Sequence, residues 1–255
     1  MMRGVAVVVA GGAGSRMRTR ENAVSSHGAQ AAEGSVKKQY LDLGGKPLMY
    51  HALATLQASS LIEAVVLVVS PGDEAYVQTE IVERYALSKV RAVVAGGKER
   101  YHSVHAGLCA VRDALSGEDT IVYIQDAARP FLTEEILRRC HDGVLRTGAC
   151  VAAMPVKDTI KQADKDGIVT ATPDRKTLWA MQTPQTFRFP LVYEAYAKLI
   201  AEEQQGADCS FVTDDAMVVE RFFPGQQVLL AEGSYGNIKV TTSEDLRYAQ
   251  SLLDT

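Results

Sequence analysis

The chain has 255 residues, with 27 Lys and Arg against 31 Asp and Glu, a net charge of −4, and 47% hydrophobic residues. That balance fits a soluble globular chain with a real core. It excludes a general nucleic-acid binder, whose phosphate contacts need a basic surface, but leaves room for a small anionic ligand held by local cations. The longest apolar runs, residues 5–10 and 64–69, are too short to span a bilayer, so no membrane contact is expected. The cysteines Cys109, Cys140, Cys150 and Cys209 show neither a CxxC pair nor a metal-finger spacing. They read as reduced thiols of a cytoplasmic protein.

In chain order, the apolar run 5–10 ends directly in glycines, with no cleavage-type region behind it, and predicts a first strand rather than a signal peptide. AGGAGSRM follows. Gly11, Gly12 and Gly14, with Ala13 between them, let the backbone turn tightly and aim successive N–H groups at one point, an anion-binding nest to which Arg16 adds a charge. No GK[ST] follows, and the third glycine of a dinucleotide fingerprint is missing, so a tight turn without ligand stays open. Residues 18–37 are rich in Ser, Ala, Gly and Gln without periodicity and read as a flexible insert. Lys37 and Lys38 end it, and in isolation such a pair reads as solvated.

The pattern then alternates: helix 47–59, strand 64–69, helix 73–86, strand 91–95 and helix 103–115. The loop GGKERYHSV contains Gly97, and Ser103 is placed to cap the next helix or to reach a ligand. A strand over 120–124 runs into QDAARPF. There Asp126 is placed to hold a sugar hydroxyl or a hydrated Mg²⁺, or else to pair with Arg129. A helix over 133–146 has Thr133 as its N-cap and acids in its first turn. Residues 156–178 alternate as a hairpin turning at KDG, too long to bury alone, so a second subunit is expected to cover it. Further on, TPQ of QTPQTF reads as a turn and TDDA as a helix start. Helices are expected at 191–203, 215–221 and 243–253, and strands at 227–231 and 237–241. Lys239 in NIKVT is either an edge charge or a strand-end phosphate contact. The histidines His27, His51, His102, His105 and His141 fall at no shared site. The whole predicts one α/β domain over 1–255, a mostly parallel sheet with helices on both faces, with ligands beyond the carboxyl ends of its strands.

Taken in order, AGGAGSRM, KQYLDLGGKPL, GGKERYHSV, QDAARPF, PVKDTIK, QTPQTF, TDDAMVVE and NIKVTTSEDL resemble the 2-C-methyl-D-erythritol 4-phosphate cytidylyltransferases of non-mevalonate isoprenoid biosynthesis. The resemblance implies a Rossmann-like fold with a protruding β-hairpin arm, a homodimer joined through that arm, and Mg²⁺ or another divalent cation as cofactor. It implies transfer of CMP from CTP to the alditol phosphate, releasing pyrophosphate. By motif, Gly11, Gly12, Ala13, Gly14, Gly97 and Ser103 would cradle CTP, and Arg16, Lys38 and Lys239 would carry the catalytic charge. Asp126, Arg129, Thr159, Arg175, Thr183 and Thr213 would line the sugar-phosphate site, Thr159 and Arg175 from the neighbouring subunit, with Asp126 also the metal contact.

Such chemistry suits these residue types. The attacking phosphate oxygen is already ionised near neutral pH, since its second pKa is about 6, and needs no general base. Positioned cations answer the remaining problem, charge growing on the α-phosphate and the leaving pyrophosphate. The chain departs from the family pattern in three places: a longer linker with Lys37 where the family usually has Pro before KQY, Gln125 where many members have His, and an AGG start in place of AAG. Ribitol-5-phosphate cytidylyltransferase is the alternative reading. A nicotinamide dehydrogenase would want an acid about 20 residues past the first strand, where only Glu33 of the insert falls. A nucleotide sensor without turnover is the third class.

Overall fold

The computed structural model describes residues 3–11, 37–114 and 119–253. Gly12, Ala13, Gly14, Arg16 and insert residues 18–36 lie outside them. The elements are β1 (Arg3–Ala10), β2 (Asp42–Leu43), β3 (Lys46–Pro47), α1 (Leu48–Ala58), β4 (Ala64–Val69), α2 (Glu74–Val77), β5 (Val90–Ala95), α3 (Arg100–Ala114) and β6 (Thr120–Asp126). They continue with α4 (Glu134–Thr147), β7 (Ala149–Pro155), β8 (Gln162–Ala163), β9 (Val169–Ala171), β10 (Trp179–Arg188), α5 (Phe189–Gln204), α6 (Asp215–Phe222), β11 (Leu229–Glu232) and α7 (Ser243–Leu253).

A seven-stranded sheet has the order β11-β7-β10-β6-β1-β4-β5. Only β10 runs antiparallel to its neighbours, β6 and β7. Strands β4 and β6 are buried along their whole length, because helices cover both faces and leave no residue of the strand a polar side to face. On one face Ala6, Val8 and Leu67 pack with Leu53 and Leu56 of α1 and Ile136 of α4. On the other, Val7 and Val68 pack with Leu108 of α3 and Val192 of α5. Gly107 lets α3 lie this close, since a methyl group there would collide with Val7. A third cluster, Leu41, Leu43, Leu48, Val240 and Ala249, ties the segment carrying Lys38 to the one carrying Lys239 and to α7.

The structure corrects several expectations. β7 and β10 carry no strand signal in the sequence, and TPQ lies inside β10, where the pairing register shifts between Met181 and Gln185 around a cis Thr183–Pro184 bond. Residues 237–241 form no strand; Val240 N–H donates to Ala128 O as a single cross-connection (2.8 Å). The helix over 73–86 is the short α2 followed by a wider π-type turn, Gln78–Glu83. Ser103 is not a cap, because α3 begins three residues earlier. Thr133 does cap α4, its Oγ1 accepting from Ile136 N–H. Within the hairpin segment β8 and β9 pair, Val156 N–H donates to Leu178 O across its base, and Asp164 Oδ1 closes the turn by accepting from Asp166 and Ile168 N–H.

Candidate active site

At the carboxyl ends of β1 and β6 lies a cleft of about 270 Å³ whose walls include Gly11, Lys38, Gly97, Ser103, Asp126 and Lys239. Its floor is built by close approach. From inside α3 the Ser103 hydroxyl reaches back to accept from Gly97 N–H (3.1 Å) and donate to Glu99 O (3.4 Å). A Cβ on Gly11 would stand 3.2 Å from that oxygen, and one on Gly96 only 2.6 Å. Glycine at these positions is what lets two strand ends share one serine.

Asp126, the last residue of β6, forms the centre. Its Oδ1 accepts from Arg100 Nε (3.2 Å), its Oδ2 pairs with Lys239 Nζ (2.5 Å), and its N–H donates to Thr183 Oγ1 (3.1 Å). Burial alone would push this carboxyl up, but Arg100 and Lys239 beside it hold it well below the usual carboxylate range. The alternative Asp126–Arg129 side-chain pair is not what forms. The buried Arg129 guanidinium donates to Asn237 O (2.7 Å) and Met181 O (3.3 Å), bracing the loop that carries Lys239. Lys38 Nζ donates to Val240 O (3.4 Å), one residue past Lys239, so two separate segments bring their lysines to the same wall.

Arg100 is the cleft-lining cation that the sequence reading passed over. It opens α3, where a cation opposes the positive end of the helix dipole. It is held there by a bidentate bond to the fully buried Asp215, both N–O distances 2.8 Å. Burial would weaken the guanidinium's charge, but Asp215 and then Asp126 outweigh it and keep Arg100 protonated. Tyr196 OH donates to the same Asp215, and Gln185 Oε1 accepts from the N–H groups of Asp215 (2.9 Å) and Ala216 (2.8 Å). An arginine at a helix start beside a glycine loop was the available signal for Arg100. Its partner, 115 residues away, left none.

Thr183 therefore joins the centre with Asp126. Thr159, Arg175 and Thr213 do not line the cleft; all three are exposed, and Arg175 donates to Lys157 O (2.8 Å) within the arm. Lys98 and Glu99 complete the rim, so Lys38, Lys98, Arg100 and Lys239 stand against Asp126 and Glu99, an excess of cations suited to polyphosphate. Among the described residues no three His, Cys, Asp or Glu side chains cluster as a metal cage. One carboxylate is enough for Mg²⁺ bound mainly through substrate phosphates and water, and Asp126 and Glu99 are the carboxylates in the cleft lining.

Comparisons with known proteins bear on the family and the fold. The family model for IspD, 2-C-methyl-D-erythritol 4-phosphate cytidylyltransferase, matches residues 5–255. The chain is 41% identical over 249 residues to the enzyme of that name from Syntrophus aciditrophicus (98% of this chain, 95% of the relative). It is 42% identical over 244 residues to the one from Lachnospira eligens, covering 96% of each. Among solved structures, 4-diphosphocytidyl-2C-methyl-D-erythritol synthase from Anaerococcus prevotii superposes with a TM-score of 0.79 at 28% identity, covering 100% of this chain and 97% of that one. Matched along nearly its whole length, the chain belongs to the 2-C-methyl-D-erythritol 4-phosphate cytidylyltransferase family.

Proposed function

We propose that the cleft transfers CMP from CTP to 2-C-methyl-D-erythritol 4-phosphate, releasing pyrophosphate in isoprenoid biosynthesis. The observation that carries this reading is the convergence of Lys38, Arg100 and Lys239 around Asp126, below a serine-braced glycine loop. The family membership favours methylerythritol phosphate over ribitol phosphate as acceptor, and a nucleotidyltransferase over a dehydrogenase.

In this reading Gly11, Gly97 and Ser103 receive the cytidine end, and Lys38 holds the triphosphate, with Arg16 as its expected partner. Lys239 exchanges its bond to Asp126 for a phosphate oxygen and stabilises charge as it grows on the α-phosphate. Arg100 stays behind Asp126, its position fixed by Asp215, so the field in the cleft is set before substrate arrives. Asp126 would hold Mg²⁺ together with the phosphates, and the ion when bound supplies further neutralisation of their charge. Arg129 and Thr183 shape the acceptor side. Thr159 and Arg175, remote from the cleft lining of their own chain, would complete the acceptor site of a second copy across the arm. The free cysteines fit a reducing cytoplasm, and among the described residues no helix is long and apolar enough to cross a membrane.

The test is pyrophosphate release with CTP, Mg²⁺ and methylerythritol phosphate, beside ribitol phosphate and a no-acceptor control. Release with methylerythritol phosphate alone is expected. Release only with ribitol phosphate would keep the mechanism and change the acceptor, and CTP binding without release would point to a sensor.

A further inference from the structure

Asp73 stands at the start of α2, where an aspartate ordinarily caps the helix with its own carboxylate. Here the side chain makes no cap bond. Its Oδ2 instead takes two donors from distant sequence, Lys37 Nζ at 2.6 Å and Tyr40 OH at 2.8 Å. The Tyr40 ring also meets Tyr76 in a T-shaped contact, centroids 5.4 Å apart, so the tyrosine is held at its ring as well as its tip. Between these two donors runs the single helical turn Lys38–Tyr40, and Lys38 is the residue of that turn whose ammonium stands in the cleft wall. One carboxylate thus grips the chain on both sides of the lysine. The carboxylate is 21% and Lys37 36% exposed, intermediate between a solvated surface pair and a buried one.

We propose that Asp73, with Lys37 and Tyr40, forms a latch that presets Lys38 in the cleft: these are positioning residues that act on the triphosphate only through Lys38. The proposal rests on the reading of Lys38 as a triphosphate contact. It assigns a use to the Lys37 that departs from the family pattern. A segment entered from a long insert gains a fixed point at the residue before the functional lysine, where φ −67° and ψ 141° leave the chain extended into the turn. An ion pair of this exposure contributes little to global stability, so its effect belongs in binding and turnover.

The experiment is a double-mutant cycle on the full chain, read as pyrophosphate release and as KM for each substrate. Lys38→Ala is expected to lower kcat/KM for CTP at least tenfold, the scale of one preorganised charge. Asp73→Ala is expected to lower it about fivefold, leave KM for methylerythritol phosphate within about twofold, and cost at most about a further twofold in the Lys38→Ala background, since groups that act through one another are not additive. Asp73→Asn keeps the shape and the Tyr40 contact, and is expected to show part of the same loss if Asp73→Ala folds poorly. Wild-type kcat/KM in both Asp73 variants, or an undiminished fivefold loss on top of Lys38→Ala, would overturn the latch. Wild-type kcat/KM in Lys38→Ala itself would overturn the reading of Lys38 and the latch with it.

Discussion

The Asp126 carboxylate accepts from two cations, Arg100 and Lys239, in a pocket that would otherwise drive its proton on, and this sets how the molecule responds to acid. Burial raises the carboxyl, Arg100 and Lys239 lower it further than burial lifts it, and the folded value falls well below that of the unfolded chain. A depressed acid stabilises the fold fully above its unfolded pKa of about 4 and loses that contribution as pH falls toward the folded value. Wild-type stability should therefore fall more steeply than that of Asp126→Asn between about pH 5 and pH 2, measured by urea unfolding at stepped pH. Parallel pH profiles would show that the ion pairs contribute nothing. At this scale Asp126 and Gly97 were legible in the sequence, one ending a strand and the other in a glycine loop, whereas the catalytic roles of Lys38, in a helical turn, and Lys239, in a segment that forms no strand, came only with the family resemblance. Arg100 was missed because Asp215 and Gln185, the residues that justify its burial, sit on other elements far along the chain.

The helices read well where their ends carry their own signals. Thr133 and the acids after it begin α4, and Gly148, at φ 83°, ends it. Strands β1, β4, β5 and β6 were visible as β-branched runs. β7 is ACVAAMP, too rich in alanine to favour a strand by propensity, and β10 carries Gln, Thr and Pro at buried positions. Their pairing is decided by tertiary hydrogen bonds, as when Gln182 Oε1 accepts from Asn237 Nδ2 (3.2 Å) and Ser234 N–H (3.3 Å). α3 carries a start signal of a different kind. His102 Nδ1 accepts from Glu99 N–H (3.1 Å), the return half of a capping box, which leaves its Nε2 to donate to Glu203 Oε2 (2.7 Å). Tyr101 OH donates to the other oxygen of Glu203, so α5 holds the start of α3 and the glycine loop before it. His102→Ala should cost about 1 kcal/mol of stability, the usual loss for a cap. It should also raise KM for CTP severalfold, because the loop bearing Gly97 loses its anchor. Thermal unfolding measures the first and initial rates of pyrophosphate release against CTP concentration the second, and a stability loss with unchanged KM would mean the cap serves α3 alone.

The molecule as a whole presents an arm that its own domain does not cover. β8 and β9 are exposed along their length, Val169 by 55%, as is Ile168 between them by 64%, with Tyr235 exposed under the Lys157 ammonium. Apolar side chains held on a two-stranded ribbon are not stable facing water alone, and a second copy of the chain is the partner proposed for them. Thr159 and Arg175 sit on this arm, away from the cleft that Lys38 and Asp126 line. If each arm completes the neighbour's acceptor site, Lys38→Ala and Arg175→Ala are each strongly impaired alone yet complement each other. Random re-pairing puts half the dimers in the mixed form, and in each of these one site has both wild-type residues while the other has neither, so about a quarter of wild-type activity should return. Sites completed within one chain would return none, because every site in the mixture would then carry one lesion or the other. The readout is pyrophosphate release after subunit exchange, with exchange itself followed by mass-tagged subunits. A mixture that exchanges fully and stays inactive would place Arg175 in the service of its own chain, and the exposed face of the arm would need another reason to exist.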